Sequence, residues 1–287
     1  MIIFAAGVAR NLSEEVSPNV VRIAVVGLLG NAGASTETTI SASLAPDKRA
    51  RIIDQAQLRP ALAAIGYDGS INMTTEDARR LGTAIGCDFF ITGKAEVIAR
   101  SEREGETHQE SIIGVMMVDG RSGALSLFDF VNEKAATAEQ AIEKSKAAIK
   151  ARAADYINRL IDIRAAQSAP PRQPATSNDE RIEDLPDSES PLAAGFKPPE
   201  FINRVKPEYT SQAELADISA TVEARALFKS DGQVGDIEIF RWAGFGLDES
   251  AVSAIRKLQF KPATRDGRPV SVRATVRYNF RRVQAKE

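Results

Sequence analysis

The sequence predicts two folded units: an α/β N-terminal domain with a mixed sheet, and a small α+β C-terminal domain with an antiparallel sheet. Helices and strands alternate early in the first unit, strands cluster later in it, and a proline-rich acidic segment separates the two units. A chain of 287 residues is also long for one α+β domain and comfortable for two. We expect the α/β domain at residues 20–164, a linker at 165–199 and the second domain at 200–287.

The N-terminal unit opens with a continuous apolar run at residues 22–29, which has the length of a buried strand. Residues 50–54 are a second, short strand candidate, and a helix is expected from residue 55 to about 65. The glycine-containing segment 27–35 lacks the Gly-Lys-Ser/Thr of a phosphate-binding P-loop and the spacing of a dinucleotide fingerprint. We therefore interpret residues 27–35 as loop and turn.

The next helix has recognisable ends. Thr74 or Thr75 is a suitable N-cap, because a hydroxyl oxygen can accept a hydrogen bond from the first turn. Glu76 and Asp77 fall in that first turn, where negative charge is favourable. Gly86 marks the expected end of the helix.

Three strands and a long helix complete this unit. A buried strand is predicted at residues 88–98, and a strand pair at 110–118 and 124–131 is joined by a glycine-containing turn. From residue 135 to 163, apolar and small residues recur at steps of three and four, which indicates an amphipathic helix that is charged on its other side. We expect these helices to pack on the mixed sheet in two or three layers.

The segment between the units contains seven prolines and six acidic residues. Such a composition cannot bury a core, so we predict an extended, solvated spacer. The spacer either gives a binding domain reach across a gap or simply joins two domains.

The C-terminal unit begins with a predicted hairpin. Residues 221–228 alternate between apolar and polar side chains, Ser230-Asp231-Gly232 supply the turn, and a second strand follows at 234–240. The apolar parity of the second strand slips between Val234 and Ile237, which predicts a β-bulge.

A helix and a long strand end this unit. Apolar residues at helical spacing over 247–258, with Asp248 and Glu249 in the first turn, predict an amphipathic helix that Pro262 stops. The strand at 270–281 alternates strictly. One of its faces carries Val270, Val272, Ala274, Val276, Tyr278 and Phe280, and the other carries Ser271, Arg273, Thr275, Arg277, Asn279 and Arg281.

Residues from about 197 to 287 resemble the C-terminal domain of the TonB family of energy transducers. Several motifs occur along this stretch in the order typical of the family. They are Pro207-Glu208-Tyr209, Thr221-Val222-Glu223-Ala224, Asp231-Gly232-Gln233-Val234, the helix at 247–258, Phe260-Lys261-Pro262-Ala263 and Asp266-Gly267-Arg268-Pro269-Val270. The resemblance implies a periplasmic domain that binds a short peptide of an outer-membrane transporter by strand addition.

The final strand is the expected edge for this addition, because a sheet edge offers unpaired N–H and C=O groups to a guest strand. The candidate partner-binding residues are Val272, Arg273, Ala274, Thr275, Val276, Arg277, Tyr278 and Asn279. Arg273, Arg277 and Arg281 would attract an acidic partner, or they are only a solvated face. A second copy of the chain is also a candidate partner.

The N-terminal unit resembles, more loosely, the α/β domains of bacterial envelope proteins such as CsgG and the N-terminal domain of TolB. The segments that carry the resemblance are short, and they lie at residues 23–26, 53–58, 81–82, 86–93 and 118–123. The resemblance implies an envelope location and protein binding, and it carries over no catalytic residue.

Net charge, the single cysteine and the single histidine give no support for nucleic-acid binding, catalysis or metal binding. A net charge of −2 gives no support for nucleic-acid binding. Cys87, the single cysteine, is expected in the core, and His108, the single histidine, is expected on a polar loop without the partners of a triad or metal site. We predict that the protein is not an enzyme and uses no metal or cofactor.

The N-terminal residues help to predict the cellular compartment of the protein. Residues 2–9 are the apolar stretch before Arg10, and they are too short for a membrane-spanning helix, which takes about 20 residues. They lack the basic start of an export signal, yet Gly7-Val8-Ala9 fits a cleavage site. We interpret residues 1–19 as the remnant of an export signal and expect a periplasmic or envelope protein; if the start is correct as it stands, the protein is cytoplasmic.

Two functions are left open. The first is a TonB-like envelope protein whose C-terminal domain binds a partner peptide in outer-membrane transport and energy transduction. The second is a non-enzymatic envelope scaffold or assembly factor that transmits no energy. The density of motifs in the C-terminal domain favours the first, and the lack of an anchor in this sequence favours the second.

Overall fold

The computed structural model describes residues 20–101, 107–168, 182–184 and 194–282. The expected export-signal remnant at 1–19 and most of the expected linker lie outside these residues. In chain order the elements are β1 (Val21–Leu29), α1 (Gly33–Leu44), β2 (Ala50–Ile52), α2 (Gln55–Ala64), α3 (Thr75–Ile85), β3 (Phe89–Ser101), β4 (Thr107–Asp119), β5 (Leu125–Ala135), α4 (Ala138–Ser168), β6 (Ile182–Asp184), β7 (Phe196–Lys197), β8 (Glu200–Phe201), α5 (Ser211–Leu215), β9 (Ala220–Phe228), β10 (Val234–Arg241), α6 (Leu247–Arg256), β11 (Phe260–Lys261), β12 (Ala263–Arg265) and β13 (Arg268–Phe280).

The first sheet has the strand order β2-β1-β3-β4-β5. β1 pairs in parallel with β2 and β3, whereas β4 pairs antiparallel with both β3 and β5. Parallel neighbours need crossover connections, which α1 and the α2–α3 pair supply here. The mixed sheet predicted for the N-terminal part is confirmed.

Helices cover both faces of this sheet. On one face, Ile40 of α1 and Leu160 of α4 lie in a buried cluster with the sheet. On the other face, Leu58 of α2 and Leu81 of α3 belong to a second buried cluster. Because β1 is buried on both faces, its sequence is a continuous apolar run and does not alternate.

The interpretation of residues 27–35 as loop and turn is confirmed only for residues 30–32, because β1 extends to Leu29 and α1 begins at Gly33. α1 is rich in serine and threonine, whose intrinsic helix propensity is low. Its hydroxyl groups bond within the helix, as when Thr36 donates to the carbonyl oxygen of Ala32 at 2.8 Å. Burial of Ile40 against the sheet then stabilises a helix that propensity alone does not indicate.

The predicted ends of α3 are confirmed. Thr74 is the N-cap, and its hydroxyl oxygen accepts a hydrogen bond from the backbone N–H of Asp77 at 3.1 Å. Gly86 ends the helix with a φ of 74°, in the left-handed region that favours glycine.

His108 does not lie on a loop; it lies in β4, opposite Arg100 of β3. The β3–β4 hairpin extends beyond the buried part of the sheet, and its polar end lacks the apolar pattern by which a strand is recognised. Cys87 is buried as predicted, and burial raises the pKa of its thiol to about 12.

The second sheet has the strand order β10-β9-β13-β12-β7, with β6 beside β13. Its pairings are antiparallel except that of β6 with β13, and the predicted bulge is present as a register shift between Val234 and Ile237. Asp266 and Gly267 turn the chain from β12 into β13 with φ values of 49° and 79°, as a tight hairpin requires. α6 packs on this sheet through buried Ile255.

The two sheets share a hydrophobic core. Trp242 and Phe245, in the loop between β10 and α6, are buried in the same cluster as Leu58, Leu81 and Met116 of the N-terminal part. The C-terminal sheet is therefore packed firmly against the α2–α3 side of the N-terminal sheet.

Candidate functional site

β13 is the strand that carries the predicted binding residues. On one side it pairs antiparallel with β9 from Val272 to Phe280. On the other side its first residues pair with β12, and the next three, Ser271–Arg273, pair with β6. From residue 274 to 280, no strand among the described residues lies on this second side. We call residues 274–280 the open edge.

All eight predicted residues lie on β13, and its faces differ as the alternation predicts. Val272, Ala274, Val276 and Tyr278 belong to or border the C-terminal core. Arg273, Thr275, Arg277 and Asn279 are exposed. Residues 274–279 lie in the open edge, whereas Val272 and Arg273 lie opposite β6.

Arg277 forms an ion pair within the sheet. Its guanidinium donates to the carboxylate of Glu223, which lies opposite it on β9. Glu223 is buried and also accepts a hydrogen bond from Nε of Arg241 at 2.9 Å. Burial opposes ionisation of Glu223, but the hydrogen bonds from the two arginines outweigh it and lower the pKa of this carboxyl. Arg277 is therefore ion-paired within the sheet, and the single negative charge of Glu223 is shared between Arg277 and Arg241.

Arg273 lies in an open cleft beside β6, and the other side chains around it are of mixed charge. They are Ile182, Asp184, Arg225, Leu227, Asp236 and Glu238. The acidic members offset the positive charge that the sequence predicts for this face. Arg281 lies just beyond the end of β13 and is exposed.

β6 is the part of the site that sequence reasoning missed. These residues were expected in a solvated spacer, but residues 182–184 form a strand along β13, and Glu183 makes an ion pair of 2.6 Å with Arg265. A single isoleucine between charged residues has neither strand nor helix periodicity. Nothing in the local sequence signals this pairing.

Polar contacts fix the orientation of the sheet that carries the open edge. The side-chain amide of Asn72, just before α3, donates to the carbonyl oxygens of Thr221 at 2.9 Å and Trp242 at 2.7 Å. Asn72 also accepts a hydrogen bond from the backbone N–H of Thr221 at 2.9 Å. Because Thr221 is the second residue of β9, the strand next to β13 is anchored to the N-terminal part.

Metal binding and membrane spanning both require distinctive sets of side chains. The described ranges contain no group of three or more His, Cys, Asp and Glu side chains that could hold a metal ion. None of the helices in those ranges is both long and apolar enough to cross a bilayer.

Comparison with known proteins supports one family assignment. Residues 205–281 match the family described as Gram-negative bacterial TonB protein C-terminal. Among solved structures, the chain is similar to the C-terminal domain of TonB from Pseudomonas aeruginosa, with 23% identity and a TM-score of 0.28 over 36% of this chain and 97% of that one. No curated protein matches the chain.

Two further solved structures are similar to this chain. A hypothetical protein from Chlamydia trachomatis shows 13% identity and a TM-score of 0.34, over 48% of this chain and 98% of that one. The C-terminal domain of LpoB from Salmonella enterica shows 11% identity and a TM-score of 0.30, over 41% of this chain and 85% of that one.

The family match covers the elements that build the open edge. It begins before α5, includes the β9–β10 hairpin and α6, and ends one residue after β13. Residues 205–281 are therefore the part of this chain that matches the TonB C-terminal family.

Proposed function

We propose that the chain is a TonB-like cell-envelope protein whose C-terminal domain binds an extended segment of a partner protein as an added strand on β13. The observation that carries this proposal is the open edge, where the described residues place no strand beside 274–280. The N–H and C=O groups of such an edge give affinity for any extended chain, and the alternating side chains give selectivity.

The proposed partner is the periplasmic peptide of an outer-membrane transporter, and the proposed role is in outer-membrane transport. The family match at residues 205–281 supports both, because C-terminal domains of this family bind protein partners in the cell envelope. In this proposal residues 20–164 form a CsgG- and TolB-like unit, the linker joins it to the binding domain, and neither unit is catalytic.

A second candidate function is an envelope scaffold or assembly factor that transmits no energy. The shared core of the two sheets favours it, because Trp242 and Phe245 are buried among side chains of the N-terminal part. A large apolar interface of this kind opposes relative motion of the two units, whereas a transducer needs its binding domain to reach a partner.

Titration of labelled peptides into the full-length chain tests the first function. The peptides copy the periplasmic N-terminal segments of outer-membrane transporters, and binding is followed by fluorescence anisotropy. Saturable binding is expected. Peptides with alternate residues replaced by proline cannot form a strand and are the control, because they lack the N–H groups of a ladder. Equal binding of both peptide sets, or binding of neither, contradicts the proposal.

Two adjacent proline substitutions in β13 locate the bound peptide. Successive N–H groups of a strand point to opposite sides. Of Thr275→Pro and Val276→Pro, one therefore removes a hydrogen bond to β9, and the other removes a donor from the open edge. We expect the variant that loses the hydrogen bond to β9 to unfold the domain. The variant that loses the donor at the open edge should fold, as judged by circular dichroism, but should not bind peptide.

Thr275→Ala is the matched control for Thr275→Pro, because it removes the same side chain but keeps the backbone N–H, so any loss of folding or binding beyond that of Thr275→Ala comes from the lost donor. A folded proline variant with unchanged affinity would contradict strand addition at β13. Light scattering of the full-length chain tests whether the partner is a second copy of the chain. A stable dimer would indicate that it is.

A further inference from the structure

β6 occupies the edge of β13 immediately before the open edge begins. Its residues 182–184 pair in parallel with Ser271, Val272 and Arg273. A segment of the chain itself is thus already added to this sheet, on the side proposed for the partner.

The Glu183 side chain anchors β6 to β12. Nε and Nη2 of Arg265, on β12, donate to the same carboxylate oxygen of Glu183 at 2.7 and 2.6 Å. The Glu183 side chain is 11% exposed and the Arg265 side chain 23%, so solvent screens the pair less than it screens a surface pair. The Arg265 guanidinium also lies 5.2 Å from the ring centre of Phe196 on β7, which holds the guanidinium in position.

The rest of β6 is held weakly. Ile182 is 40% exposed, and Asp184 is exposed beside the cleft of mixed charge. β6 pairs over three residues, whereas an ordinary strand has about five or six. A guest strand that continued along 274–280 would gain backbone hydrogen bonds that these three residues do not make.

We infer that β6 is an internal competitor for the edge of β13. The partner strand that replaces it runs parallel to β13 and carries a carboxylate that binds Arg265. This inference rests on the proposed function, because it assigns the chemistry of the partner at the same edge. The partner is an acidic extended peptide, with a carboxylate at the position of Glu183 and further residues beside the open edge.

The test uses the full-length chain and a peptide of its own sequence as the probe. A labelled peptide of residues 180–186 is titrated into the unaltered chain, Glu183→Gln and Asp184→Asn. Both substitutions remove one negative charge from β6, but only Glu183→Gln weakens the contact with Arg265. We expect Glu183→Gln to bind the peptide about tenfold more tightly than the unaltered chain does, and Asp184→Asn to show no change.

Charge reversal identifies the group that receives the carboxylate. In the double variant Glu183→Gln with Arg265→Glu, the same peptide should bind about tenfold more weakly than to Glu183→Gln alone. A peptide with lysine at the position of Glu183 should recover that loss. Equal binding by the unaltered chain, Glu183→Gln and Asp184→Asn overturns the inference, as does no binding to Glu183→Gln or no effect of the reversal.

Transporter peptides separate this inference from the proposed function. If they bind the unaltered chain and Glu183→Gln equally well, strand addition stands and internal competition is overturned. If the 180–186 peptide binds Glu183→Gln and transporter peptides bind neither protein, internal competition stands and the transporter peptide is overturned as the partner.

Discussion

The indole N–H of Trp242 donates a hydrogen bond to the carbonyl oxygen of Gly123 at 3.0 Å, and this bond joins the C-terminal sheet to the turn between β4 and β5. Trp242 is 2% exposed, and it is the only tryptophan in the chain. Its fluorescence therefore reports on the junction between the two sheets, and several predictions can be measured with it.

Phe245→Ala should destabilise both sheets together. The ring of Phe245 is fully buried and packs on Phe128 and Phe130 of β5, with centroids 5.0 and 6.1 Å away. Loss of a buried phenylalanine costs about 3–5 kcal/mol. We expect urea unfolding curves from tryptophan fluorescence and from far-ultraviolet circular dichroism to shift together.

Phe201→Ala is the control for this prediction, because Phe201 is 44% exposed and its truncation should cost much less. If Phe245→Ala moved the fluorescence transition and left the dichroism transition in place, the two sheets would not unfold as one unit.

Asp248 should make the chain more stable in mild acid. Its buried carboxyl accepts hydrogen bonds from the N–H groups of Ala243 at 2.9 Å and Gly244 at 2.8 Å. Burial raises its pKa from 3.8 to about 6, against the lowering effect of these two hydrogen bonds. Because the folded state holds the proton more tightly, this stabilisation is complete below the unfolded pKa and is lost as the pH rises through about 6.

Asp248→Asn removes this titration, so the free energy of unfolding should lose a pH dependence worth roughly 2 kcal/mol between pH 4 and 7. Urea titrations at each pH measure it. Glu249→Gln, at the exposed neighbouring residue, removes only a minor cause of the raised pKa of Asp248 and should keep most of this pH dependence. Identical pH profiles for Asp248→Asn and the unaltered chain would show that this carboxyl is not the cause.

Gly114→Ala should disturb the junction from the N-terminal side. A Cβ at this residue of β4 would lie 2.5 Å from Cζ of Phe245, so the ring would have to move. Overpacking of this kind costs about 1–3 kcal/mol. The free energy of unfolding, followed by tryptophan fluorescence, measures the loss. In the Phe245→Ala background the same substitution should cost little, and a full cost there would contradict the proposed clash.

Cys87 should be inert in the folded chain. It is buried, and burial raises the pKa of its thiol to about 12, so little thiolate forms at neutral pH. Its reaction with an aromatic disulfide reagent should be slow in buffer and fast in urea. Rapid labelling in buffer, with the tryptophan emission unchanged, would contradict the buried position.

Local signals predicted much of the fold, because neighbouring residues determine them. Thr74 and Gly86 mark the ends of α3, and the parity slip between Val234 and Ile237 marks the shifted register of β10. α1 was missed because its helix depends on burial against the sheet more than on the propensity of its serines and threonines.

The candidate site was predicted only in part, for a related reason. The alternation of β13 is local, but its neighbours along the edge are not. Glu183 and Arg265 are 82 positions apart, and Trp242 and Gly123 are 119 positions apart. Contacts over such separations leave no periodic trace in a single sequence, so the pairing of β6 and the shared core had to come from the structure.

The burial of Trp242 and Phe245 affects how the chain can be divided for experiments. Cutting it between residues 165 and 199 would leave these two side chains facing water on one fragment and Leu81 and Met116 facing water on the other. Apolar patches that are exposed in this way drive self-association. An isolated C-terminal fragment would therefore aggregate or dimerise for reasons foreign to the intact protein, unless polar residues replaced those at positions 242 and 245.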